Sequence, residues 1–266
     1  MWKSLKKYWF IFWKFRAIRF MMLLEYRGNF WFWAFVSLMW TVFNFFFFDL
    51  IIGARNELAG WNKTEMYVLI STFTMLDAFT WSFFYHNMRD YIASIFNGQL
   101  TITLTRPINS QFLLSVQNNS YTNVVRFFVG LGILIVTLRN GQIPLTLAGV
   151  IGFALFFFIS LLFVYTLWFI VATCSFWVDR LDNINELVPS TRRVWQVPKE
   201  VFTGFASTFF SVLLPLSLIA SLRSEILLGR ASFQWLAYYA VFTAVLFWLA
   251  HLFFTFSIRK YSGVAN

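Results

Sequence analysis

Pro144–Trp177 reads PLTLAGVIGFALFFFISLLFVYTLWFIVATCSFW, a run without one charged residue. About 20 apolar residues in a helix cross the ~30 Å hydrocarbon core of a bilayer. This run exceeds that length, so it is expected to form a membrane helix that projects beyond the bilayer. Four similar runs accompany it: about Phe30–Ile52, Met66–Tyr85, Val124–Leu138 and Phe233–Ile258. A further stretch, Glu200–Leu222, is interrupted by Pro215. Proline removes a backbone hydrogen bond and kinks a membrane helix, so this stretch is a sixth crossing or something less regular. The expected class is an all-α integral membrane protein with six transmembrane helices, in a single domain over residues 1–266.

Composition agrees. The chain is 59% hydrophobic and only 12% charged, whereas soluble domains are about a quarter charged. The net charge of +10 would suggest nucleic acid in a soluble chain. Here the bases gather at the ends of apolar runs, where orientation and lipid headgroups account for them, so no nucleic-acid partner is expected. Six crossings with both termini in the cytosol put Lys3, Lys6, Lys7, Lys14, Arg16, Arg19 and Arg27 inside. Arg89, Arg106, Arg126, Arg180, Arg192, Arg193, Lys199, Arg259 and Lys260 join them. Only Arg55, Lys63, Arg139, Arg223 and Arg230 fall outside. That asymmetry is the positive-inside pattern.

Residues 1–28 mix lysines with Trp2, Tyr8, Trp9, Phe10, Phe12, Trp13, Phe15 and Phe20, and no small-residue cleavage site follows. Lys3, Lys7 and Lys14 recur near helical spacing. The segment reads as an amphipathic helix on the membrane surface, its basic heads towards anionic lipid. Residues 86–122 form the longest non-spanning stretch. Within it, Met88, Tyr91, Ile92, Ile95 and Phe96 fall on one side of a short helix, opposite Arg89 and Asp90. Gly98 can end that helix, and Pro107 pushes Arg106 out of helical geometry. By spacing alone the apolar edge suits either a docking partner or lipid.

Catalytic signatures are absent. No glycine is followed by lysine, which removes the usual phosphate loop for ATP. The two histidines, His86 and His251, are far apart and have no metal-ligand spacing, and the single cysteine, Cys174, cannot form an internal disulfide. No catalytic, cofactor or metal residue is assigned. Asp77 stands mid-way along an apolar run with Thr74 and Thr80 near it. It either lines a polar cavity, pairs with a base on a neighbouring helix, or makes a structural hydrogen bond. Asn44 and Asp49 are weaker cases, with Asp49 near the outer interface. Asp179–Lys199 is too charged to face lipid; it is a loop or lines a wet interior. Thr203, Ser207 and Ser211 recur every four residues, a spacing of close helix packing.

Phe96-Asn97-Gly98-Gln99-Leu100, then Leu104-Thr105-Arg106-Pro107-Ile108-Asn109 and Phe112, resemble a pattern of the ABC-2 type permeases, in particular small six-span bacterial ones. Phe176-Trp177, Pro198, Leu213-Leu214-Pro215-Leu216 and Leu227-Leu228-Gly229-Arg230 continue the likeness over nearly the whole chain. The resemblance implies the membrane half of an ATP-binding-cassette transporter, mostly exporters, in the plasma (inner) membrane. It implies ABC ATPase subunits carrying ATP and Mg, and a second permease chain, identical or different. It also implies a cytoplasmic coupling helix between spans 2 and 3, near Asn87–Leu100, which tips Met88, Tyr91, Ile92, Ile95, Phe96 and Arg106 towards ATPase docking. Such permeases place the fifth span over Asn183–Val197 and let the later segment re-enter from outside, whereas hydropathy prefers Glu200–Leu222. Under the family mapping, Arg192 and Arg193 become contacts for an anionic group, and Asp77, Thr74, Arg192 and Arg193 are the candidate pathway-lining residues. The competing class is a stand-alone secondary transporter or channel, which would call for ion sites and inverted repeats.

Overall fold

The computed structural model describes residues 2–53, 57–178 and 183–261, with the backbone alone over residues 2–5. Arg55, Asp179, Arg180, Asp182 and the Lys3 side chain lie outside the described residues. Within them the protein is nearly all helical.

Helix α1 (Trp2–Glu25) passes through Tyr26 into α2 (Arg27–Gly53). A two-residue hairpin follows, β1 (Glu57–Leu58) against β2 (Trp61–Asn62). Its turn residues Ala59 and Gly60 both take positive φ, the left-handed geometry that matches the twist of a tight hairpin. Asn62 caps α3 (Lys63–Phe83) by accepting from the Glu65 amide, while Glu65 accepts from the Asn62 amide, both at 3.0 Å. This reciprocal pair satisfies two donors that a helix start leaves free.

Helix α4 (Tyr85–Phe96) continues α3 after a small break, and the pair makes a 34-residue rod from Lys63 to Phe96. Gly98, at φ +70°, ends it. Two short helices, α5 (Leu100–Leu104) and α6 (Ser110–Val116), fold back beside α4, separated by Arg106-Pro107. Helices α7 (Val124–Asn140) and α8 (Leu147–Cys174) form the next antiparallel pair. After them come α9 (Leu187–Ser190), α10 (Arg192–Trp195), α11 (Gly204–Thr208), α12 (Leu218–Leu227) and α13 (Phe233–Lys260).

Among the described residues, four helices are long and apolar enough to cross a membrane: α2, the α3–α4 rod, α8 and α13. A fifth is added if the bent pair Gly204–Leu213 and Leu218–Leu227 is taken as one. The rod is the axis of the bundle. It packs along α7 on one side and against α12, α2 and α8 on others, while α13 lies along α8. The outward faces of α2, α8 and α13 are bare aromatic and aliphatic surface, including Trp31, Phe35, Phe43, Leu155, Val241 and Trp248. Water would not tolerate so much exposed apolar area; lipid does.

The stretch between α8 and α11 departs from the hydropathy reading. Asn185 accepts from Trp168 Nε1 at 3.0 Å, Glu186 accepts from Tyr85 at 2.8 Å, and Glu200 accepts from Trp61 at 3.1 Å. Residues 186–200 therefore run the whole length of α3, from its Tyr85 end to its Trp61 end. That is roughly 36 Å of helix axis in 14 residue steps, more than a continuous helix can span at 1.5 Å per residue. Short helical pieces, with Pro189 inside α9, an extended link at Pro198 and the reach of the bonded side chains make up the distance. Glu200–Leu222 is not one helix. It bends by 79° at Pro215, and its two arms return to the same end, where Lys199 pairs with Glu225. Glu200–Leu222 is therefore not the regular span that hydropathy prefers but a broken span or a re-entrant pair. Ser211 is correspondingly no helix-packing stripe with Thr203 and Ser207. It bonds Ser217 across the bend at 2.8 Å, while Thr203 is exposed.

Helix α1 is docked on one side only. Tyr8 meets the Phe112 ring edge-on at 4.9 Å, Lys7 donates to the Pro107 carbonyl at 3.1 Å, and Arg16 reaches the Val116 carbonyl. Burial holds the Arg16 guanidinium below its usual pKa, opposed by Tyr121 and reinforced by Arg19. The other side shows Trp9, Phe10, Trp13 and Met21 bare.

Gly130 on α7 sets the approach to α3. A Cβ there would lie 3.2 Å from both Met75 and Thr74 side-chain atoms, whereas one at Gly132 would meet nothing within 4 Å. Small residues allow such helices to close up. Gly130→Val should therefore cost about 1–3 kcal/mol, read as a lowered midpoint of thermal unfolding in detergent, with Gly132→Val near wild type. Equal losses in both variants would refute the close contact.

Candidate functional site: a charged cavity beside the axial helix

A cavity of about 670 Å³ lies between α2, α3, α7 and α10. Its α2 wall is Trp33, Ser37, Trp40, Thr41 and Asn44, residues spaced three and four apart on one face. The opposite wall brings Phe73, Thr74, Asp77 and Trp81 from α3. Helix α2 is tied to the bundle by polar contacts on either side of the cavity. Ser37 donates to Asn123 at 2.7 Å, and Asp49 accepts from Tyr67 and pairs with Lys63, each at 2.6 Å. Asp49 thus belongs to the Trp61 end, as its place in the apolar run indicates.

Asp77 is at the back of the cavity and 1% exposed. Its Oδ2 receives two guanidinium groups, from Arg126 on α7 and from Arg192 on α10, the latter at 2.5 Å. Arg192 also stacks over Trp81, 5.5 Å from the ring centre. Asp77 Oδ1, Arg126 Nε and Arg192 Nε have no partner. A carboxylate in a bundle interior is sustained by opposite charge, and here one acid holds two bases from two separate elements. Of the three options open for Asp77 in the sequence, the structure realises two together: it pairs with bases and it lines a cavity.

The other sequence candidates are sorted by the fold. Thr74 and Arg192 line the cavity. Arg193 is exposed and outside the lining. Met88, Tyr91, Ile92 and Ile95 are buried in the core, and Phe96 is half-buried against it. Tyr91 stacks on Phe169 at 5.5 Å and meets Phe254 at 6.1 Å. The apolar edge that spacing offered for docking is turned inward onto α8 and α13, because an aromatic edge beside two apolar helices gains more by burial than by exposure. Arg106 is exposed.

Arg126 was counted among loop charges, yet it is 8% exposed and inside the bundle. The missed signal was its position two residues into the run Val124–Leu138. Arg223, counted as external, is fully buried: it donates to the Ile219 and Thr72 carbonyls at 2.6 and 3.2 Å. Lys199, counted as internal, sits with Glu225 and Glu200 at the Trp61 end.

A smaller cavity of about 310 Å³ adjoins the first and shares Asn29, His86, Ser120 and Thr122 with it. Arg19 and Arg89 line it.

Multi-pass apolar helices around a polar, charge-lined interior define a membrane transport protein. A family model described as ABC-2 family transporter protein matches residues 38–265. The chain belongs to that family and is an ABC-2 type permease, a kind of membrane subunit that works with an ABC ATPase. No curated protein and no solved structure matches it.

If the triad is held by charge, Asp77→Leu leaves two bases without a counter-charge and should cost about 3–5 kcal/mol. Adding Arg126→Leu removes one base and should recover most of the loss. Thermal unfolding of the purified variants reads both; a double variant no more stable than Asp77→Leu would show that charge pairing is not what the site needs.

Proposed function

We propose that this chain is the permease half of an ATP-driven exporter in a bacterial plasma membrane, and that the cavity at Asp77 is its translocation site. The family assignment supports the class. The observation that carries the site is the charged cavity set against the axial rod.

Six crossings fit the arrangement: α2, α3, α7, α8, the broken segment 183–201, and α13. Helix α7 has 17 residues, close to the bilayer minimum. The last turn of α13 and the docked helix α1 then share the cytoplasmic face, with both termini there. The aromatic side of α1, with Lys6 and Lys14 beside it, lies on the lipid headgroups. A second permease chain, as a copy or a relative, faces the open side of the cavity. ATP and Mg belong to the partner ATPase.

Coupling to that ATPase goes through residues 86–122. With the apolar edge of α4 buried, the surface left for contact is the tip beyond it, where Gln99, Ile102, Arg106 and Pro107 are exposed. The buried edge acts as a grip. A push at the tip moves α4 with α8 and α13 through the Tyr91 stack, and moves Asp77, about 28 Å up the rod. ATP binding in the partner and substrate binding in the cavity then favour different arrangements of the same rod, which is what conversion of hydrolysis into transport requires.

The test is co-purification from native membranes in mild detergent. A Walker-motif ATPase in the complex supports the reading, and recovery of this chain alone under conditions that preserve a known ABC complex overturns it in favour of a self-sufficient carrier. Ile102→Glu with Arg106→Glu should abolish that co-purification, or uncouple hydrolysis from transport, with thermal stability unchanged. Normal assembly and transport by this variant would remove the tip from the coupling surface.

A further inference from the structure

We infer that the cavity takes an amphiphile with one negative charge on an apolar or aromatic body. The inference rests on the reading of the cavity as the translocation site and names what would be carried.

Charge is the first observation. Of the described acids and bases that line the cavity, Asp77 is negative and Arg126 and Arg192 are positive. The two guanidiniums converge on one carboxylate oxygen, so among the described residues a formal charge of +1 is left without a counter-ion, His86 taken as neutral. An uncompensated charge away from bulk water is costly. A single anionic group on the ligand balances it. A neutral ligand leaves the excess in place, and a cation adds to it.

Available donors are the second. Asp77 uses one amino group of each arginine, and Arg192 keeps 27% of its side chain accessible from the cavity side. A guanidinium has five donors in a planar fork that suits carboxylate, sulfonate or phosphate oxygens. Arg192 is therefore the group that grips the anion, and Asp77 positions it from behind.

Shape and polarity are the third. Trp33, Trp40, Phe73 and Trp81 face the cavity together with Ser37, Thr41 and Asn44. Its volume of about 670 Å³ falls in the range of sites for drug-sized ligands. Aromatic walls take up an apolar body, and the hydroxyl and amide groups take up a few further polar atoms. The adjoining smaller cavity, with Arg19 and Arg89, gives an anion an approach of matching sign from the α1 end.

The experiment uses the full chain in lipid nanodiscs and reads quenching of tryptophan fluorescence. Three probes of similar bulk are compared: anilinonaphthalene sulfonate, its uncharged parent phenylnaphthylamine, and the cation tetraphenylphosphonium. The anion should bind roughly tenfold or more tightly than the neutral parent, the scale of one charge-assisted hydrogen bond, and the cation most weakly. Arg192→Gln leaves a balanced Asp77–Arg126 pair and should erase the anion's advantage without changing binding of the neutral probe. Asp77→Asn raises the excess charge and should increase anion affinity although it lowers stability. Changes of opposite sign separate charge recognition from simple damage to the fold. Equal binding of anion and neutral parent, or an anion advantage that survives Arg192→Gln, overturns the inference. Should Asp77→Asn fail to fold, the Arg192→Gln comparison decides. Because no ATPase is in this assay, a negative result here leaves the transporter assignment standing, and loss of ATPase co-purification leaves this result standing.

Discussion

The structure is organised by one carboxylate that cannot be left alone in an apolar bundle. Asp77 lies in the middle of α3, part of the most enclosed of the long apolar helices, and two arginines from different elements close on its Oδ2. Each link fixes a relation that apolar packing leaves loose. Arg126 sets α7 against α3 in depth, where Gly130 lets the two backbones approach. Arg192 ties down the irregular segment 183–201, alongside Ile184, Val188 and Trp195, which join the apolar core. Buried ion pairs contribute little net stability compared with apolar residues of the same volume. The worth of this one is therefore in placement, and its residual charge is available to a ligand.

A second constraint follows from the first. Backbone that is not helical needs other partners for its polar groups, and inside a membrane protein those must come from side chains or a wet cavity. The segment 183–201 meets that requirement at its far end, where the Lys199 amide donates to Ser221 at 2.8 Å. Its near end is anchored by side chains, with Asn185 and Glu186 accepting from Trp168 and Tyr85. The bend at Pro215 is closed in the same way, with Ser217 donating to the Phe210 carbonyl at 2.9 Å and bonding Ser211. Arg223 spans from its own helix to the Thr72 carbonyl and keeps the returning arm against α3.

The helices were legible because bilayer thickness imposes a length and a composition that local sequence displays. Asp77 was legible for the same reason: a charge stands out in an apolar run. Its partners were not. Arg126 falls at the edge of a run, where bases usually mark a membrane boundary, and only the tertiary fold shows that α7 begins deep enough to bury it. Arg192 lies in a stretch whose polarity forbids lipid contact but does not say which wet surface it meets. The edge formed by Met88, Tyr91, Ile92 and Ile95 carried a correct periodicity and an ambiguous direction, because one apolar stripe suits a partner, lipid or the protein's own α8 equally well. Hydropathy read Glu200–Leu222 as one regular span because it scores local apolarity and does not register the 79° bend at Pro215.

Placement of the cavity between a rigid and a lightly held wall has a mechanical consequence for the proposed cycle. The α3 side is fixed by the triad, by α7 and by the returning arm at α12. The α2 side is different: most of the helix is exposed, with Ala34, Ser37, Thr41, Phe48 and Ile52 as its buried residues. Its polar ties are short and few, at Ser37 and at Asp49. A wall held this way separates at lower cost than one buried on all sides. In the proposed cycle the cavity opens between α2 and the rest, while Asp77 stays on the α3–α4 rod with Arg126 and Arg192 bonded to it.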